Sequence, residues 1–158
     1  MSSGLSGNLR AFRLADPGRR RLAFEALILL AVARLLVVAT PFRFLSRLLG
    51  RSRRQGSGST ASLDEARQIG WALNAVGARV PWRCKCLERA VAGKFMLQRR
   101  GYSSYLTLGV RRPRPGDPIR AHAWLRSGLN TVVGEEAGVD AYSIVNRLGD
   151  VQTTIGKP

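Results

Sequence analysis

Histidine occurs once in these 158 residues, cysteine twice and lysine three times. Each scarcity excludes something. With a single histidine, acid–base chemistry near neutral pH must pass through His122. Cys84 and Cys86 stand one residue apart, a spacing poor for a disulfide and for a Cys-x-x-Cys metal knuckle. The chain is therefore no secreted disulfide scaffold, and a reducing, cytoplasmic setting is the default. Acidic residues are also few: 10 face 26 basic ones, for a net charge of +16, and all but three of the basic residues are arginine. No signal-peptide order is present, because the apolar stretch begins only after Arg19-Arg20-Arg21 and no small-residue cleavage site follows it. The longest uninterrupted apolar run there, Ala26 to Ala33, is short for a membrane span and is bracketed by charge.

What is present specifies a folded chain. A hydrophobic content of 45% rules out general disorder, and the length fits one domain with a helical extension. The positive surface attracts anionic partners, whether nucleic acid, acidic lipid or acidic peptide, without choosing among them.

Residues 1–15 read as a loose basic arm, 16–61 as a helical region with a linker, and 62–158 as the core. Asp16-Pro17 supplies an N-cap and a first-turn proline, and the chain then runs apolar from Leu22 to Ala39. Glu25 and Arg34 lie on opposite sides of that helix, so it is apolar nearly all round and must be covered by this domain, a partner or a membrane. Thr40-Pro41 repeats the signal and predicts a second, amphipathic helix ended by Gly50, followed by a Gly/Ser-rich linker from Arg51 to Ala61. Ser62 and Glu65 form a capping box for a third helix reaching about Gly77. A fourth runs from near Cys86 to Arg100 and stops at Gly101.

Beyond Gly101 the period becomes that of a strand, with Leu106, Leu108 and Val110 alternating with Tyr105, Thr107 and Gly109. A Pro-rich loop from Arg111 to Arg120 leads to a second strand, Ala121–Arg126. A turn, Ser127–Asn130, precedes a third strand, Thr131–Val133, and residues from Ala141 suit an edge strand before a frayed tail, Gln152 to Pro158.

Cys86 falls at a helix start, where unpaired N–H groups, the helix dipole and the neighbouring Arg83, Lys85 and Arg89 favour a thiolate. The plainer alternative is a small buried hydrophobe. Cys84 lacks the helix-start position and takes the structural role. His122 shares one strand face with Trp124. If the turn is Ser127–Asn130, Arg126 pairs with Thr131, and counting outward sets Glu135 beside His122, an orienting acid for a Cys–His pair. Glu136 and Asp140 are the other candidates. Zinc held by Cys84, Cys86 and His122 is disfavoured, since the thiols are crowded and a fourth ligand is missing.

A cysteine at a helix start, a strand bearing histidine and a neighbouring strand bearing an acid follow the order of the papain-like transglutaminase core. Val80-Pro81-Trp82-Arg83, Cys86-Leu87-Glu88-Arg89-Ala90, Gln98-Arg99-Arg100-Gly101, Leu108-Gly109-Val110-Arg111 and Ala121-His122-Ala123-Trp124-Leu125 together resemble the lasso-peptide biosynthesis B protein family, as does the apolar helix followed by Pro41-Phe42-Arg43. The resemblance covers nearly the whole chain. It implies an α+β fold, with a helix-borne cysteine packed on a small antiparallel sheet and a helical extension before it. It also implies a leader peptidase, with Cys86 as nucleophile, His122 as base and Glu135 where the family usually has aspartate; no cofactor or metal is expected from the residues, and a nucleotide requirement is left open. The chain looks like the split form, which acts on a precursor peptide with a separate winged-helix-like leader-recognition protein and alongside a lasso cyclase. Peripheral membrane contact through residues 22–39 fits the apolar helix. The competing class is a non-catalytic basic module for nucleic acid or anionic membrane. Against nucleic acid, the arginines are dispersed and no known binding motif is found.

Overall fold

The computed structural model describes residues 16–50, 59–111, 117–134 and 141–149. The N-terminal arm, linker residues 51–58, loop residues 112–116, residues 135–140 and the tail from 150 lie outside the described residues.

Helix α1 (Pro17–Ala39) opens as its sequence dictates, the Asp16 carboxylate accepting the Gly18 N–H at 3.2 Å. Thr40 closes it instead of opening the next helix, its N–H donating to the Leu36 carbonyl at 3.0 Å. The second cap therefore sits one residue later than expected. Pro41 offers the carbonyl that receives the Phe44 and Leu45 N–H groups, and α2 (Phe42–Gly50) includes Gly50 as its last residue. Helix α3 (Leu63–Gly77) carries the full capping box: Ser62 Oγ accepts from the Glu65 N–H and the Glu65 carboxylate accepts from the Ser62 N–H. Helix α4 (Cys86–Arg99) gives way at Gly101, whose φ of 77° suits a residue without Cβ.

Strands β1 (Tyr105–Arg111), β2 (Arg120–Ser127), β3 (Asn130–Val133) and β4 (Ser143–Gly149) form one antiparallel sheet in the order β3-β2-β1-β4. β4 is the expected C-terminal edge strand. Helices α3 and α4 pack on the sheet, and α1 lies across those two helices. Two glycines permit the close helix–sheet approach. A Cβ at Gly70 would stand 2.2 Å from the Val132 carbonyl oxygen, and one at Gly93 2.7 Å from Leu125 Cδ2.

One face of α1 is taken into the core by small residues, Ala23, Ala26 and Ala33, with Leu30 between them. Fully burying a leucine contributes roughly 1.5–3 kcal/mol, and the alanines let the helices approach closely enough to realise it. The two charges of this apolar helix act as pins. Glu25 takes a bidentate pair of bonds from Arg100 at 3.0 and 2.7 Å, near the end of α4, and Arg34 reaches Glu88 at 2.8 Å near its start. α1 is thus held antiparallel to α4 at both ends. By length and composition α1 could cross a membrane, but its alanine stripe belongs to the core. This is the α+β architecture that the sequence predicted.

Candidate active site

Cys86 is the first residue of α4, and Lys85 before it supplies no side-chain cap. The first-turn N–H groups, at the positive end of the helix dipole, are left uncapped by that side chain. Seven residues on, Gly93 lies on nearly the same side of the helix as Cys86, since seven steps of about 100° return within about 20° of the start. Gly93 faces both Leu125 of β2 and Leu73 of α3, so Cys86 is turned toward the side on which α4 meets α3 and the sheet.

The rest of the placement follows from direction. α4 leads through Gly101–Ser104 into β1, whose first residue, Tyr105, pairs with Arg126 at the far end of β2. The start of α4 therefore lies toward the start of β2. From Gly93 back to Cys86 is about 10 Å of helix rise, and from Leu125 back to His122 is about 10 Å of strand. Cys86 and the His122 backbone reach the same end of the helix–sheet layer.

Their side chains are not joined in this state. Leu125 faces α4, and strand alternation turns Ala123 the same way while His122 and Trp124 point to the opposite face. There the imidazole is 8% exposed and packs 5.9 Å from the Trp124 ring and 5.5 Å from Tyr142. Gly109, paired with His122, leaves room for this cluster: a Cβ there would stand 2.8 Å from the Trp124 ring. Arg111 caps Tyr142 from 5.0 Å. His122 Nε2 lies 2.8 Å from the Gly134 carbonyl oxygen. Because a carbonyl only accepts, Nε2 carries the proton in the neutral ring and Nδ1 is the free base. Among the described residues no hydrogen bond links Cys86 to His122.

The hairpin register agrees with expectation at its base, where Arg126 pairs with Thr131 and Ser127 with Asn130. It then shifts. Leu125 meets Val133 where an unbroken count required Val132, so a bulge intervenes and the outward count no longer carries to a His122–Glu135 pair. Glu135, Glu136 and Asp140 themselves lie outside the described residues.

Cys84 sits over Gly77, to which an added Cβ would lie 3.3 Å from its sulfur. Burial pushes its thiol above the usual range, with the Arg89 guanidinium beside it acting in the opposite sense. That suits a structural thiol.

Sequence reasoning passed over three participants. Glu88 is fully buried two residues after Cys86 and receives Arg34 from α1; the only hint was a pair of isolated charges in an apolar helix. Tyr142 joins the imidazole cluster from just before β4, and nothing in the sequence signalled it. Gly134 was legible as a strand end but not as the partner of His122.

A comparison with protein families matches residues 26–147 to the family described as Transglutaminase-like superfamily. No curated protein and no solved structure matches the chain.

Proposed function

The chain belongs to the transglutaminase-like superfamily, a fold compatible with cysteine-peptidase chemistry, and from that premise we propose that it is the leader peptidase of a lasso-peptide pathway. The observation that carries the reading is the convergence of the Cys86 helix start and the His122 segment of β2 at one end of the helix–sheet layer. Cys86 attacks the scissile carbonyl and forms an acyl-enzyme. His122 Nδ1 removes the thiol proton and returns it to the departing amine, and water then releases the acyl group. The uncapped N–H groups of the first α4 turn receive the oxyanion. Glu135 orients the imidazole from the Nε2–H side, since Nδ1 serves as the base, and there takes over from the carbonyl of Gly134, the residue that it directly follows. Because the imidazole rests against Trp124 and Tyr142 on the face of β2 away from α4, the mechanism requires substrate binding to turn the ring past the start of β2 and bring Nδ1 to the thiol. A separate leader-recognition protein delivers the precursor, and a cyclase closes the ring afterwards.

The test is cleavage of precursor peptide, followed by mass spectrometry, with the recognition protein present. Cys86→Ala and His122→Ala should each reduce the rate by about 10⁴-fold or more, and the double variant should be no worse than either. Cys84→Ala should be nearly silent. Equal loss on changing Cys84 and Cys86, or additive losses at Cys86 and His122, would overturn the assignment.

A further inference from the structure

We infer that the outer face of α1 seats the protein on an anionic lipid surface, with the helix lying in the plane of the membrane. Opposite the alanine stripe, α1 exposes Phe24, Ile28, Leu35 and Val38, with exposures of 63% at Phe24, 68% at Leu35 and 66% at Val38. At about 100° per residue these four fall within about 40° of one line, and Phe24 to Val38 spans about 21 Å of helix. The helix cannot be withdrawn to span the bilayer without removing Ala26, Leu30 and Ala33 from the core.

Charge identifies the occupant. Beyond the Asp16 cap, the first turn of α1 has no acidic residue, although the positive end of the helix dipole favours one. It carries exposed arginines instead. Arg19 is turned onto the Trp71 ring at 5.3 Å, whereas Arg20 and Arg21 fall about 40° and 60° to either side of the Phe24 line. Two cations flanking an apolar strip, set against the dipole of their own helix, are compensated by an anionic surface. The strip itself holds no hydrogen-bonding side chain, because Glu25 and Arg34 at its margins are committed to α4. A protein partner of comparable reach would be expected to meet polar groups roughly every 100–200 Å². A lipid surface needs only an apolar strip with basic flanks.

The test is flotation of the full chain, made by cell-free synthesis in the presence of vesicles. Wild type should float with phosphatidylglycerol-containing vesicles about tenfold more than with phosphatidylcholine alone, and 1 M salt should reduce that preference. Arg20→Gln with Arg21→Gln should remove the preference for anionic vesicles. Ile28→Glu with Leu35→Glu, both at exposed positions, should reduce flotation about tenfold or more while leaving the circular dichroism unchanged. Cys86→Ala should float as wild type, so the result stands apart from the peptidase reading. Absence of flotation, equal flotation with both lipids, or indifference to these substitutions overturns the inference. So does a dimer that Leu35→Glu dissolves, since the face would then be an interface between copies; capture of the face by the recognition protein in place of lipid would also overturn it.

Discussion

The carbonyl of Gly134 holds Nε2 of His122 at 2.8 Å, and only glycine can present it. Its φ is 92°, and a Cβ would fall 2.6 Å from the Ala123 carbonyl oxygen and 2.7 Å from Trp124 Cα, both backbone atoms that cannot step aside. Gly134→Ala should therefore destabilise the fold by about 1–3 kcal/mol and release the imidazole from its tautomer. Denaturant titration reads the first effect, and nitrogen NMR of the imidazole the second. A variant that keeps the wild-type tautomer would show that the carbonyl is incidental.

The Arg34–Glu88 pair should respond asymmetrically to substitution. Glu88 is wholly buried, whereas the Arg34 side chain is 39% exposed and can turn to water. Arg34→Ala strands a carboxylate in the interior and should cost about 3–5 kcal/mol. Glu88→Gln leaves behind only a solvated cation and should cost about half as much or less. Denaturation midpoints of the two variants check the order.

Glu65 links stability to pH. Hydrogen bonds from the Tyr102 hydroxyl, then from Ser62, hold its carboxyl below an ordinary value near 4.5. A carboxyl lowered in the folded state adds stability that is present above its unfolded pKa and is lost as pH falls through the folded one. Tyr102 is shifted the other way, its phenol raised chiefly by the bond to Glu65. Its contribution is complete below the ordinary tyrosine range and disappears in strong alkali. Glu65→Gln should flatten the acid limb of a stability–pH curve, and an unchanged limb below about pH 4.5 would contradict this.

Of the three acids beyond Gly134, Glu135→Gln should slow leader cleavage by an order of magnitude or more, by analogy with other triads. Glu136→Gln and Asp140→Asn should be mild. A reversed order would reassign the orienting role.

The local signals in the sequence were sound because they rest on short-range chemistry. Ser62 and Glu65 close their capping box within one turn, Asp16 caps α1, and the alternation from Tyr105 to Val110 belongs to a strand. What escaped depends on distant partners. The buried side of α1 was not separable by hydrophobicity, since alanines went inward for closeness while Phe24 and Leu35 stayed out. The bulge beside Leu125 displaced a count that was correct at Arg126. Lys94 illustrates the same limit, for its fully buried ammonium donates at 2.9 Å to the Ser104 carbonyl, a bond set by how α4 returns to the sheet. At the site, helix and strand were legible, but the face to which His122 turns required the register.

From His122 to Leu125, β2 is buried on both of its faces. Ala123 and Leu125 are occupied by helices, and His122 and Trp124 by an aromatic cluster. Such a strand has no neutral side on which substitutions can accumulate. Divergence toward a new substrate would then proceed through the helix exteriors and connecting segments, while the stretch bearing the histidine changes little; if the proposed peptidase activity holds, selection for altered specificity in a mutant library should leave these four positions nearly untouched.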